Sequence, residues 1–123
     1  MSDGMKIEGP GKLLTIYIGE SDRWHGRPLA TAIVERLREM GMAGATVLRG
    51  FEGFGARSRI HTTHILRLSE DLPVVIQIVD RADRIEAARR ALDEMVAEGL
   101  ITVSDVEIVL YRHGPPLGEQ GEA

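Results

Sequence analysis

In the stretch LLTIYI, apolar residues alternate: Leu14, Ile16 and Ile18 fall on one side, Leu13, Thr15 and Tyr17 on the other. That two-residue period predicts a β-strand over 13–18 with at least one buried face. The polar connector GESDRWHGR follows, and Pro28 suits the start of a helix, where its missing N–H costs nothing. Leu29, Ile33, Leu37 and Met40 recur at spacings of four, four and three, which predicts a helix with one buried stripe, stopped by Gly41. A second strand is predicted over 45–50 (ATVLRG), a third over HTTHILRL (61–68), and a fourth over VVIQIV (74–79). The fourth reads as central because it is almost wholly apolar and β-branched. Asp80 stands where it can cap a second helix, with Asp83 in the first turn, where the helix dipole favours negative charge. Ile85, Ala88, Leu92, Met95 and Val96 mark that helix's buried stripe, and Gly99 is the expected stop. ITVSDVEIVLY supplies the last strand, with a bend expected at Ser104-Asp105. The tail HGPPLGEQGEA has no apolar period and is expected to be disordered.

Strand–helix–strand, a long loop region with a hairpin, then strand–helix–strand is the order of an α+β, ferredoxin-like split βαβ sandwich. In that fold two helices cover one face of an antiparallel sheet, here with an additional hairpin or long loop after the second strand. The other face is left open. Leu13, Tyr17, Val109 and Tyr111 are expected on it, and apolar residues on an uncovered face predict a homo-oligomer of closed symmetry.

A length of 123 residues fits one domain. Its expected span is 12–111, with flexible termini at 1–11 and 112–123. The chain has no cysteine, which excludes disulfides and thiol catalysis and fits a cytoplasmic location. No apolar run is long enough to cross a bilayer, so direct membrane insertion is not expected. A net charge of −4 argues against nucleic acid as a partner. The charge is uneven, however. Between Leu48 and Leu68, Arg49, Arg57, Arg59 and Arg67 face only Glu52, a local excess that suits a small anion.

GFEGFGARSRIHTTH, residues 50–64, concentrates the candidate chemistry. Gly50, Gly53 and Gly55 follow a strand, but no helix follows them, so neither a dinucleotide fingerprint nor a P-loop is present. Glycines still let backbone amides converge on an anion, and Arg57 and Arg59 can add bidentate grips. Phe51 and Phe54 could stack on a base or anchor the loop to the core. Ser58 with His61, and Ser21-Asp22 with His25, lack the third orienting group a nucleophilic centre needs. His61 and His64 would point to opposite faces of a strand, whereas a cross-loop site joining Glu20 or His25 to His61 would suit a divalent cation. Trp24, the single tryptophan, either plugs an oligomer interface or lines a pocket.

The segments LLTIYIGESDRWHGRPL, GMAGATVLRGFEGFGARSRIHTTHILRLSEDLPVVIQIVD and GLITVSDVEIVLY together resemble a widespread, uncharacterised prokaryotic family of PII-like proteins. The likeness runs from about Lys12 to Tyr111. It implies a ferredoxin-like trimer, in some cases encoded beside fluoride-exporter genes. The wider PII superfamily implies a non-enzymatic regulator that binds adenine nucleotides between subunits. Its partner protein would be a membrane transporter or an enzyme, contacted through a mobile loop matched here by 51–62. On this likeness the ligand-binding residues are Arg49, Gly50, Gly53, Gly55, Arg57, Arg59 and His61, with Glu20 and His25 nearby. The stretch Gly99 to Asp105 departs from the pattern, since GLITVSD has one glycine and no cation where PII proteins grip phosphate. The rival readings are a divalent-metal-binding trimer using His25, His61 and carboxylates, a small-molecule enzyme of the ferredoxin-like class using His61, and a ligand-free oligomeric adaptor.

Overall fold

The structure, a computed structural model, describes residues 5–54 and 71–113. In chain order the elements are β1 (Met5–Lys6), β2 (Gly9–Gly19), β3 (Arg23–Trp24), β4 (Arg27–Pro28) and α1 (Leu29–Glu39). They continue with β5 (Thr46–Arg49), β6 (Pro73–Asp80), α2 (Ala82–Asp93), β7 (Leu100–Ile108) and β8 (Arg112–His113). The predicted third strand, most of the 51–62 loop and the tail beyond His113 lie outside the described residues, whereas parts of the termini expected to be flexible are paired: Met5–Lys6 with Arg112–His113, and β2 from Gly9.

The main sheet has the order β5-β6-β2-β7, every neighbour antiparallel. β6 is inserted between the two strands that α1 connects, which makes this a split βαβ sheet of the ferredoxin-like kind. Leu14, Ile16 and Ile18 of β2 join Val74, Ile76 and Ile78 of β6 in the core. Leu29, Ile33 and Leu37 of α1 and Ile85, Ala88 and Leu92 of α2 close over them. The two-residue and helical periods in the sequence therefore meet in one core, on one side of the sheet.

Four expectations are corrected. Asp80 is not a helix cap: Arg81 holds that position, and Asp80 is the last residue of β6, 1% exposed. Its Oδ1 accepts the Arg81 N–H at 2.8 Å; its Oδ2 accepts the Ala43 N–H at 3.0 Å and Arg84 Nε at 3.3 Å. Arg84 in turn donates to the Gly41 carbonyl. One buried carboxylate thus ties the end of β6, the start of α2 and the α1–β5 turn together.

Secondly, α2 ends at Asp93, well before Gly99. Met95 stays buried and Val96 packs on the core, so the apolar period outlasts the helix. Gly99 serves a different need. Its φ is +153°, and a Cβ there would lie 2.7 Å from the Tyr17 carbonyl oxygen. Gly99→Ala is expected to cost about 1–3 kcal/mol, read as a lower urea midpoint at unchanged slope.

Thirdly, β7 runs without a bend at Ser104-Asp105. Its register against β2 is unbroken from Leu100 to Ile108. Asp105 sits opposite Lys12, whose ammonium 2.5 Å away holds the Asp105 carboxyl below the usual carboxylate range. The break comes later. Gly9 pairs with Ile108 but Lys6 pairs with Arg112, so the C-terminal strand carries one extra residue, a bulge between Ile108 and Arg112 that follows the Gly9 pair, where Gly9 has a φ of +102°.

The fourth correction concerns the open face. Leu13 and Tyr17 lie on it, but Tyr111 does not, and Val109 falls at the break between β7 and β8, beyond the register that fixes the faces. Residues directly opposed in an antiparallel pair share a face, and Leu13 opposes Ser104. The even-numbered residues of β7 are therefore the open-face ones. Tyr111 turns to the helix side, where its hydroxyl donates to the Ala43 carbonyl at 3.0 Å. Three rows cross the open face: Leu48, Val75, Tyr17 and Leu100; then Thr46, Gln77, Thr15 and Thr102; then Val79, Leu13 and Ser104. None of these residues is charged, in a chain that is 28% charged.

Candidate functional site

Three segments meet where β2 ends, β5 ends and β6 begins. Gly50 donates its N–H to the Pro73 carbonyl at 2.6 Å, and Glu20 donates to Leu72 at 2.8 Å. Gly50 packs so tightly that a Cβ would collide with the Pro73 ring, and Gly53 also lies against Pro73. Gly50 is thus used for close approach of one backbone to another. Arg49, the last residue of β5, reaches across to form an ion pair with Glu20.

The same corner satisfies main-chain donors with carboxylates. Asp22 Oδ2 accepts the Gly19 N–H at 2.9 Å, and Asp71 Oδ1 accepts the Ser21 N–H at 2.7 Å. The Asp71 carboxylate lies against Gly19, so a side chain there would have to push it aside. Glu20, Asp22 and Asp71 are each committed to a donor. Among the described residues no group of three or more His, Cys, Asp or Glu is arranged to hold a metal ion.

Of the sequence candidates, Arg49, Gly50, Gly53 and Glu20 are therefore brought together. His25 is placed apart from them, at the turn of the β3–β4 hairpin, with φ +52° followed by Gly26 at +78°. Positive φ at both central residues is the type I′ hairpin turn, whose twist matches the strands it joins. The His25 ring stacks on Trp24, centroids 3.8 Å apart. Gly55, Arg57, Arg59 and His61 lie outside the described residues. Phe51 and Phe54 are 87% and 67% exposed, so they do not anchor the loop in the core. Asp71 and Pro73 were missed as organisers of the corner. The only signal was the DLP turn chemistry just before the fourth strand.

Chemically the corner presents a guanidinium held in one partly exposed ion pair. The Arg49 and Glu20 side chains are 65% and 35% exposed, and such a pair contributes only about 0–1 kcal/mol. A ligand oxyanion with more charge than one carboxylate can displace Glu20 from the guanidinium at little cost.

Residues 11–108 match the family model DUF190, described as Uncharacterized ACR, COG1993. A UPF0166 protein of Aquifex aeolicus is 37% identical over 100 residues, covering 80% of this chain and 92% of that protein. A UPF0166 protein of Methanocaldococcus jannaschii is 36% identical over 98 residues, with 79% and 90% coverage. Among solved structures, a putative PII-like signaling protein of Thermus thermophilus superposes with TM-score 0.58 at 18% identity, covering 82% of this chain and 91% of that one. CPII of Thiomonas intermedia, bound to ADP and bicarbonate, gives 0.54 at 18% identity, with 87% and 91% coverage. CutA of Synechococcus elongatus gives 0.55 at 9% identity, with 87% and 85% coverage. The chain belongs to the DUF190 (UPF0166) family and has the ferredoxin-like fold seen in PII-like proteins and CutA.

Proposed function

We propose that this protein is a non-enzymatic regulator of the PII-like type: a homotrimer that binds a small anionic metabolite, with an adenine nucleotide as the expected ligand, beside Arg49 and Gly50. The observation that carries this reading is the convergence of Arg49, Gly50 and Glu20 at the sheet end from which the 51–62 loop departs. A ligand there would touch the base of the loop, so loop states that differ in affinity would be biased by occupancy. The loop is the proposed contact for a partner protein, a transporter or an enzyme. The uncharged open face supports self-association, because solvent-facing sheets ordinarily carry charge on the polar positions. The structural likeness to a protein whose structure holds ADP is a second support.

Thermal unfolding with ADP or ATP tests the proposal. Ligand at about 100 times its dissociation constant should stabilise the fold by about 2.7 kcal/mol. Arg49→Ala should weaken binding about tenfold or more by removing a charge-assisted grip. Glu20→Gln should tighten it, because the internal competitor for Arg49 is gone. No shift of the melting curve with either nucleotide, with or without magnesium, would remove the nucleotide from the proposal. Tighter binding by Arg49→Ala would remove the site.

A further inference from the structure

A cavity of about 240 Å³ lies on the helix side, remote from the open sheet face. Its floor is Ala32 of α1, Ala91 of α2 and the buried Met95, and its wall is Trp24 of the β3–β4 hairpin. Small side chains at Ala32 and Ala91 leave the room, and the hairpin turn at His25-Gly26 swings the indole over it. Trp24 therefore lines a pocket.

The rim is charged, and its balance is negative. Arg27 is paired with Glu35, and Arg36 lies 3.9 Å from Glu39. Glu94 is the remaining charged group of the rim, and no described residue pairs with it. It also occupies the C-cap of α2, where the helix carbonyls already concentrate partial negative charge. In the last turn of α2 the one basic residue is Arg90, which pairs with Glu86. A carboxylate at a helix C-terminus breaks the local electrostatic rule, and proteins break such rules chiefly at functional or strained sites.

We infer that this cavity binds an alkylammonium or alkylguanidinium group, its charge at Glu94 and the α2 terminus and its carbon stem on the Ala32–Ala91–Met95 floor. Trp24 contributes a π face, which attracts cations more strongly than other aromatic rings. The volume limits the guest to a few carbons beyond the charged head, as in a small polyamine-like metabolite or one lysine or arginine side chain of a partner. The site remains accessible in an assembly that buries the open sheet face, because it lies across the sheet from it.

Trp24 is the only tryptophan, so its fluorescence reports on this wall alone. Titration of the full-length chain with butylguanidinium should give a saturable emission change, and titration with butyrate none. Glu94→Gln, an exposed substitution that leaves the core intact, should weaken the titration about tenfold, or about 1.4 kcal/mol. Ala91→Leu should abolish it by filling the floor, with an unchanged circular dichroism spectrum showing that the fold persists. Stronger binding by an acetyl-Gly-Arg-Gly-amide peptide than by butylguanidinium would assign the site to a partner's side chain; the reverse order would assign it to a free metabolite. No saturable change with either probe, or an unaltered titration in Glu94→Gln, overturns the inference.

Discussion

Asp80→Ala is expected to lower the unfolding free energy by about 3–5 kcal/mol, the cost of breaking a buried, hydrogen-bonded charge pair. The carboxylate accepts the N–H groups of Ala43 and Arg81 and the Arg84 guanidinium, and it is almost fully buried. Alanine would leave both main-chain donors without an acceptor, at about 1–3 kcal/mol for each unsatisfied group. Arg84, partly exposed, can turn to water and recover some of its share. Stability totals about 5–15 kcal/mol for a domain, so this one residue carries a large fraction of it. The magnitude also separates two roles. A helix cap is worth about 1 kcal/mol, whereas a three-way tie of β6, α2 and the α1–β5 turn is worth several times that. Urea unfolding at one fixed protein concentration decides between them. A loss near 1 kcal/mol would show that the carboxylate acts only on Arg81. Asp80→Asn should fall between, since the amide keeps an acceptor oxygen but turns a donor toward one of the N–H groups.

What the sequence made legible was whatever repeats locally. β2, β6 and both helical stripes follow from period alone, and the α1 stop follows from Gly41, whose φ is +77°. What it hid were relations between distant segments. The faces of β7 depend on its register against β2, and the extra residue after Ile108 breaks the alternation, so Tyr111 could not be placed by its own period. The end of α2 was masked because Met95 and Val96 continue the buried pattern after the helical hydrogen bonds stop. At the candidate site, Arg49, Gly50 and Glu20 were individually conspicuous, but Asp71 is recognisable only once its contact with Ser21, fifty residues earlier, is seen. The β3–β4 hairpin escaped because His-Gly stands where Asn-Gly or Asp-Gly would have announced a type I′ turn.

Tyr17→Glu is expected to convert the proposed trimer into a 13.5 kDa monomer. Tyr17 is 42% exposed in the single chain, between Val75 and Leu100 in the register of the open face. In the isolated subunit a glutamate there meets water, and exposed substitutions generally change stability by no more than about 0.5 kcal/mol. In an assembly that buries this face, closed symmetry places one unpaired carboxylate per subunit in the interface, each costing several kcal/mol. The penalty therefore falls almost entirely on association. The middle row, Thr46, Gln77, Thr15 and Thr102, sharpens the contrast, because uncharged hydroxyl and amide groups can pair across an interface while a carboxylate facing Val75 and Leu100 cannot. Light scattering at micromolar concentration reads the result directly. Arg38→Ala, an exposed change on the helix side, should leave the mass of the assembly unaltered. A wild-type mass of one subunit would reject self-association outright. An assembled Tyr17→Glu variant would instead move the interface away from this face and leave the uncharged rows to be explained by another partner.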